Sequence, residues 1–264
     1  MTSPRFNRRD FVLGTAGLAG AAALAACDNK INPSASSEIV TSTANSTLPP
    51  TDPSVIVSTS AVSGAPATFI DHGNPAVNTV ALTFHLSGET HLITELLDLL
   101  KSRSVVITAF AVGSWITAHP AITKRLVADG HELANHTENH LSMNNLTRQQ
   151  LSDEIVQCGQ SILPFIGSIG RWFRPSATVV PKQLILEETG RAGYPISVGY
   201  DVDSIDYKDP GSSAIITNVK NAIHPGAIVS FHFGHQGTID AFPKILDHLA
   251  KINLQPVTVG TLLG

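Results

Sequence analysis

Gly130-His131-Glu132-Leu133-Ala134-Asn135-His136-Thr137-Glu138-Asn139-His140 is the stretch on which the fold and chemistry of this chain turn. Residues 132–135 form a short run of strand character, Gly130 permits a close backbone approach before it, and two imidazoles four residues apart follow it directly. Two neutral imidazoles at that spacing can converge on one divalent ion of the zinc type. A His-x-x-x-His pair taken alone is as readily structural. Its position behind a strand end is what points to metal-assisted hydrolysis, in which the ion polarises a carbonyl and activates water.

Outward from this stretch, short β-rich runs alternate with longer helical patterns. Strands are expected at 79–84, 105–110, 132–135, 172–174, 196–199, 227–232 and 255–259, and helices at 92–100, 116–128, 147–162, 181–192, 212–222 and 239–252. Such alternation implies an α/β fold with parallel strands and crossover helices, as an open sheet or a barrel. Both architectures gather function at the carboxyl ends of the strands. His85 follows the first expected strand, His136 the third, Arg174 lies at the fourth, Asp201, Asp203 and Asp206 follow the fifth, and His232 ends the sixth.

Of the 264 residues, 42% are hydrophobic and 14% charged, enough apolar surface for one sizeable core, assigned to residues 65–264. The formal net charge is −4 and no Lys/Arg cluster occurs beyond the first residues, which argues against nucleic acid as a partner. Arg8-Arg9-Asp10-Phe11-Val12 precedes an apolar run, 11–26, too short to span a bilayer, and resembles a twin-arginine export signal. The run closes on Leu24-Ala25-Ala26-Cys27, similar to a bacterial lipobox; Cys27 is then either the lipidated first residue of an exported protein held on the outer face of the cytoplasmic membrane, or an ordinary Cys ending a signal peptide. Residues 28–64, dense in Ser, Thr, Asn and Pro and without period, read as a flexible tether of about 30–36 Å end to end. Cys158, the other cysteine, is expected as a buried, inert thiol in a helix.

Gly130 to His140 is similar to the second motif of the polysaccharide deacetylases, the NodB-homology group or carbohydrate esterase family four. Leu82-Thr83-Phe84 resembles the start of that family's first motif, Phe173-Arg174-Pro175 its third, Asp203-Ser204-Ile205-Asp206-Tyr207 its fourth and Val229-Ser230-Phe231-His232 its fifth, in the family's order over about residues 77–262. The resemblance implies a distorted seven-stranded (β/α)7 barrel. It implies also hydrolysis of the N-acetyl group of a carbohydrate, an N-acetylated amino sugar, by a divalent metal held at His136 and His140.

One motif departs from the pattern. Where family members carry Thr-Phe-Asp-Asp-Gly, with a general base and a metal ligand, this chain reads Thr83-Phe84-His85-Leu86-Ser87-Gly88. Leu86 cannot ligate. His85 is open to three readings: a third metal ligand beside His136 and His140, leaving an open position for water; a base or polar lining without metal; or a remnant in a non-catalytic site. Asp201 and Asp203 are the nearest substitutes for the base.

His232 is expected as general acid toward the leaving nitrogen, with a buried structural histidine as the alternative. Arg174 is expected to pair with Asp206, Tyr207 to wall an acetyl pocket in place of the family's usual Trp, and Asp203 and His235 to line it. Ser176-Ala177 replace the Pro-Tyr common after the family's Arg-Pro, and Trp115 and Trp172 read as core. Ser204 and Ser230 lack a Gly-x-Ser-x-Gly setting, which disfavours a serine hydrolase. A metal-dependent amide hydrolase is the expected function, and a carbohydrate-binding barrel without turnover is the alternative.

Overall fold

A computed structural model describes residues 64–264. The expected export signal with Cys27, and all of the expected tether except Gly64, lie outside the described residues.

Among the described residues eight strands run in chain order: β1 (Thr68–Ile70), β2 (Thr79–Leu86), β3 (Thr108–Ala111), β4 (Glu132–Asn135), β5 (Ile196–Val198), β6 (Val202–Asp203), β7 (Ile228–His232) and β8 (Gln255–Val257). The helices are α1 (Thr90–Ser102), α2 (Gly113–Ala118), α3 (Pro120–Ala128), α4 (Arg148–Ile166), α5 (Gln183–Arg191), α6 (Ser212–Ala222), α7 (Gln236–Lys251) and α8 (Val259–Leu263). The main sheet has the order β4-β3-β2-β7-β6, with β8 also on β2, and every ladder in it is parallel. Single parallel bridges from Asn135 to Phe173 and from Phe173 to Ser197 carry the wall on to β5, which pairs with β1. The result is a distorted parallel β/α barrel.

Six of the seven expected strands are present. The 172–174 run contributes only the bridge at Phe173, while β1, β6 and α8 are additional. The helix expected over 116–128 is two, because Pro120 has no N–H to donate and begins a new helix behind His119. α4 starts at a capping box, Thr147 with Gln150, and stops at Gly167 in the left-handed region. It buries Cys158, whose thiol donates to the Ala111 carbonyl at 3.3 Å and is pushed up in pKa by burial, as an inert thiol should be.

The pleat of β2 places the site. Leu82, Phe84 and Leu86 turn toward the helices, where Phe84 meets Phe231, Phe233 and Phe242 at ring-centroid distances of 5.1, 4.9 and 5.4 Å. Thr83 and His85 turn to the other face, toward the barrel interior. Parallel register sets His85 level with Phe110 of β3 on one side and His232 of β7 on the other. Beyond the strand ends, the loops after β2 and β7 touch at Gly88 and Gly234. Both have positive φ, and a Cβ on Gly88 would stand 3.1 Å from the Gly234 Cα, so only glycine lets these loops close on the site.

Candidate functional site

The strand ends bring four histidines into one chain of contacts. His85 lies 4.4 Å from His136 and 4.3 Å from His232 between ring centroids, and His136 lies 4.9 Å from His140. His85, His140, Arg174, Tyr200, Tyr207 and His232, together with Asp203, line a cleft of about 390 Å³. His136 lies beneath it, fully buried.

The His136–His140 loop is held in a strained shape. Thr137 and His140 adopt φ of 70° and 57°, a region non-glycine residues enter at a cost of order 1–3 kcal/mol each. Asn135 offsets this from below: its side chain accepts from the Thr137 N–H at 2.9 Å and donates to the Ile155 carbonyl of α4 and to the Tyr194 hydroxyl. The buried Glu154 of α4 accepts from both the backbone N–H and the side chain of Asn139, each at 2.8 Å. Thr137 is tied further to Ser176, so the Ser176-Ala177 pair serves to anchor this loop. Ala177, Ile205 and Asp209 are also left-handed, which concentrates backbone strain around the cleft.

His232 and Asp206 form one closed hydrogen-bond network. The Asp206 carboxylate, with no exposed surface, accepts from the His232 backbone N–H at 2.8 Å, from His232 Nδ1 at 2.7 Å and from the Thr238 hydroxyl at 2.7 Å. Burial acts to raise the Asp206 pKa, and these donors, His232 foremost, more than reverse it, so the carboxylate is held below its ordinary range. His232 Nδ1–H is thereby fixed toward Asp206 and Nε2 is left for a ligand.

The expected pairing of Arg174 with Asp206 is not formed. Arg174, 1% exposed, donates through Nε to the Val198 carbonyl (3.1 Å), through Nη2 to the Gly199 carbonyl (2.8 Å), and through Nη1 to Thr83 Oγ1 (2.9 Å) and His85 Nε2 (3.1 Å). Its guanidinium lies 3.9 Å from the Phe110 centroid and 5.4 Å from that of Tyr200. Charge type alone pairs the two residues, whereas the fold sets Arg174 against His85 and Asp206 against His232. Burial lowers the Arg174 pKa to about 9.

The three-histidine metal set also needs correction. His136 Nδ1–H donates to the Arg174 carbonyl at 2.9 Å, and its buried Nε2 has no partner, the arrangement of an imidazole prepared to ligate. His140 stands edge-on to it. His85, however, spends Nε2 on Arg174, and Leu86, fully buried, faces the helix-side core because β2 continues through it. Among the described residues no three His, Cys, Asp or Glu side chains are disposed to hold one ion. Two histidines fit a metal; a hydrolytic site, which takes three protein ligands and an open position, is not fitted. Burial, first, and the neighbouring His and Arg charges hold His85 well below its ordinary pKa, burial does the same to His136, and both are neutral rings.

The remaining expected residues divide. Tyr207, 45% exposed, and Asp203 line the cleft; the Asp203 carboxylate accepts from the Ile205 N–H at 2.9 Å. His235 turns to Asp209 at 2.8 Å and is outside the cleft lining it was expected to join, and Asp201 is bound to the Ile228 N–H and His224, so it does not substitute for a base. Trp172 is core, with Nε1 on Glu132, and Trp115 packs against the core with Nε1 on the Gly88 carbonyl. Tyr200, Thr83 and Thr238 were missed. Tyr200 was the findable one, an aromatic directly behind the fifth strand.

A parallel barrel with histidines at its strand ends defines a class, and comparison names it. The sequence profile of the family described as Polysaccharide deacetylase matches residues 72–196. A chitooligosaccharide deacetylase of Bradyrhizobium sp. (strain ANU 289) is 30% identical over 156 residues, 59% of this chain and 71% of that protein. YlxY of Bacillus subtilis (strain 168) is 30% identical over 161 residues, 61% of this chain, and the match spans only 50% of that protein. Among solved structures, a CE4 family pseudoenzyme from Bacillus anthracis superposes with a TM-score of 0.71 at 25% identity, covering 76% of this chain and 70% of that one; a mutant of the same protein described as having restored enzymatic activity gives 0.71 at 26%, covering 76% and 72%. The chain belongs to the polysaccharide deacetylase family, and its fold is that family's distorted (β/α)7 barrel.

Proposed function

We propose that the cleft binds an N-acetylated amino-sugar chain and that the domain does so without the family's metal-dependent turnover. The observation that carries this reading is the loss of the third ligand position: His85 Nε2 is held by Arg174 and Leu86 is turned into the core. Support for the sugar comes from the relative named for chitooligosaccharides and from the half-exposed Tyr207 ring, a surface on which a pyranose can lie. The likeness to a pseudoenzyme supports the silent site. The test measures zinc content, acetate release from N-acetylglucosamine oligomers and oligomer binding by calorimetry. Sugar binding with substoichiometric zinc and no acetate is expected; stoichiometric metal with chelator-sensitive acetate release overturns it.

That second outcome is the other reading, deacetylation, and the kept Asp206–His232 pair favours it. In it His136 and His140 would hold a divalent ion, zinc by the donor type, and His232 would protonate the departing nitrogen.

We propose also that the chain is exported through its twin arginines and anchored to the cell envelope by lipid on Cys27. Cys27→Ser is expected to move the protein from the membrane to the soluble fraction. Retention in the membrane fraction would point to an uncleaved anchor.

A further inference from the structure

The inner end of the cleft carries a charge that its own contacts do not balance. The four acceptors of the buried Arg174 guanidinium are two carbonyls, a hydroxyl and an imidazole nitrogen, and no carboxylate of the described residues is among them. A buried cation ordinarily has an anion beside it, because desolvation without pairing is costly. The nearby acids are engaged elsewhere: Asp206 by His232 and Thr238, Asp203 by the Ile205 N–H. The polarity of His85 follows from the same contact. Arginine can only donate, so His85 Nε2 accepts, and the neutral ring must carry its proton on Nδ1. His85 therefore meets a ligand as a donor and cannot abstract a proton through Nε2.

We propose that this inner end is a carboxylate-binding site, in which an anionic group of the ligand accepts from His85 Nδ1–H above the Arg174 cation, at the position where the family's first motif carries its first aspartate. The site rests on the Arg174 and His85 geometry alone. That the carboxylate is borne by an acidic amino sugar, rather than a free small acid, rests on the proposed sugar-binding function.

Sodium acetate and acetamide, alike in shape and different in charge, are the decisive probes. Titrated into the purified full chain and followed by calorimetry and by histidine ¹⁵N resonances, acetate is expected to bind at least about tenfold more tightly than acetamide. The His85 signals should show a protonated Nδ1 that shifts on acetate addition. Arg174→Met and His85→Phe should each abolish the preference. If either variant unfolds, the acetate-to-acetamide ratio and the His85 tautomer in the unaltered protein still decide. Equal affinities, or a proton on Nε2, overturn the site.

N-acetylmuramic acid against N-acetylglucosamine then assigns the carrier, with about tenfold tighter binding of the acidic sugar expected. Acetate preference with neither sugar bound keeps the carboxylate site and removes the sugar reading. Sugar binding with no acetate preference removes the carboxylate site and leaves the sugar reading standing.

Discussion

The cleft has two walls that the same parallel register builds and that differ in one respect. On β7, His232 has a buried carboxylate, Asp206, with three donors on it. On β2, at the same level and 4.3 Å away, His85 has a buried cation, Arg174, with no anion. The first wall is a finished network in which the buried carboxylate has three donors. The second has a buried arginine and, among the described residues, no acid beside it. One face of the cleft is thus built around an anion and the other around a cation, although both stand on neighbouring strands of one sheet.

Breaking each wall in turn measures the difference. Asp206→Ala leaves the His232 and Thr238 donors without their acceptor and is expected to lower the unfolding free energy by about 3–5 kcal/mol, from hydrogen bonds to a charged acceptor worth about 1.5–3 kcal/mol each and not fully additive. Arg174→Met loses four hydrogen bonds but also relieves an unneutralised buried charge, and is expected to cost less than half as much. Urea unfolding of both variants checks this. Equal costs would mean that the two walls are energetically alike.

Acid separates the walls without mutation. His85 and His136 are buried with pKa values held below the ordinary 6.5, so the unfolded chain takes up protons that the folded one refuses. Their contribution is present above pH 6.5 and is lost progressively as pH falls below it, at up to about 2.7 kcal/mol per pH unit for two protons. Asp206, also depressed, contributes above its ordinary value of 3.8 and loses that contribution only as pH falls through the range beneath it. Stability measured by urea unfolding should therefore drop first between pH 6.5 and 5 and again below 4. His85→Phe should reduce the first slope by one proton and leave the second unchanged.

The sequence made the barrel legible and the walls only partly so. Six strands are readable because short apolar runs alternate with helical periods, and the strand-end positions of His85, His136 and His232 follow from that alternation, while the run at 172–174 forms only the bridge at Phe173 that sets Arg174. β1 and β6, three and two residues long, carry no period to read. The break at Pro120 is legible in the chain, because proline has no N–H with which to continue a helix. What the chain order does not encode is which interior residues stand at one level. Arg174 and Asp206 look like partners by charge, yet pairing is decided by the register that sets His85 beside His232 and by the pleat that sends Leu86 outward.

The narrowest test of the contrast is to make the second wall resemble the first. His85→Asp places a carboxylate against a guanidinium whose desolvation the fold already bears, so the new pair gains attraction while adding the burial of only one charge. The expected outcome is a rise in unfolding free energy of about 1.5–3 kcal/mol, the range for hydrogen bonds to charged groups, reduced by whatever packing the imidazole supplied against His136 and His232. Arg174 should regain a pKa above its present value of about 9, and acetate should lose its advantage over acetamide because the site then holds its own anion. Unchanged stability together with unchanged acetate preference would show that Arg174 is already neutralised by its carbonyl and aromatic neighbours, and that the two walls differ in composition without differing in charge.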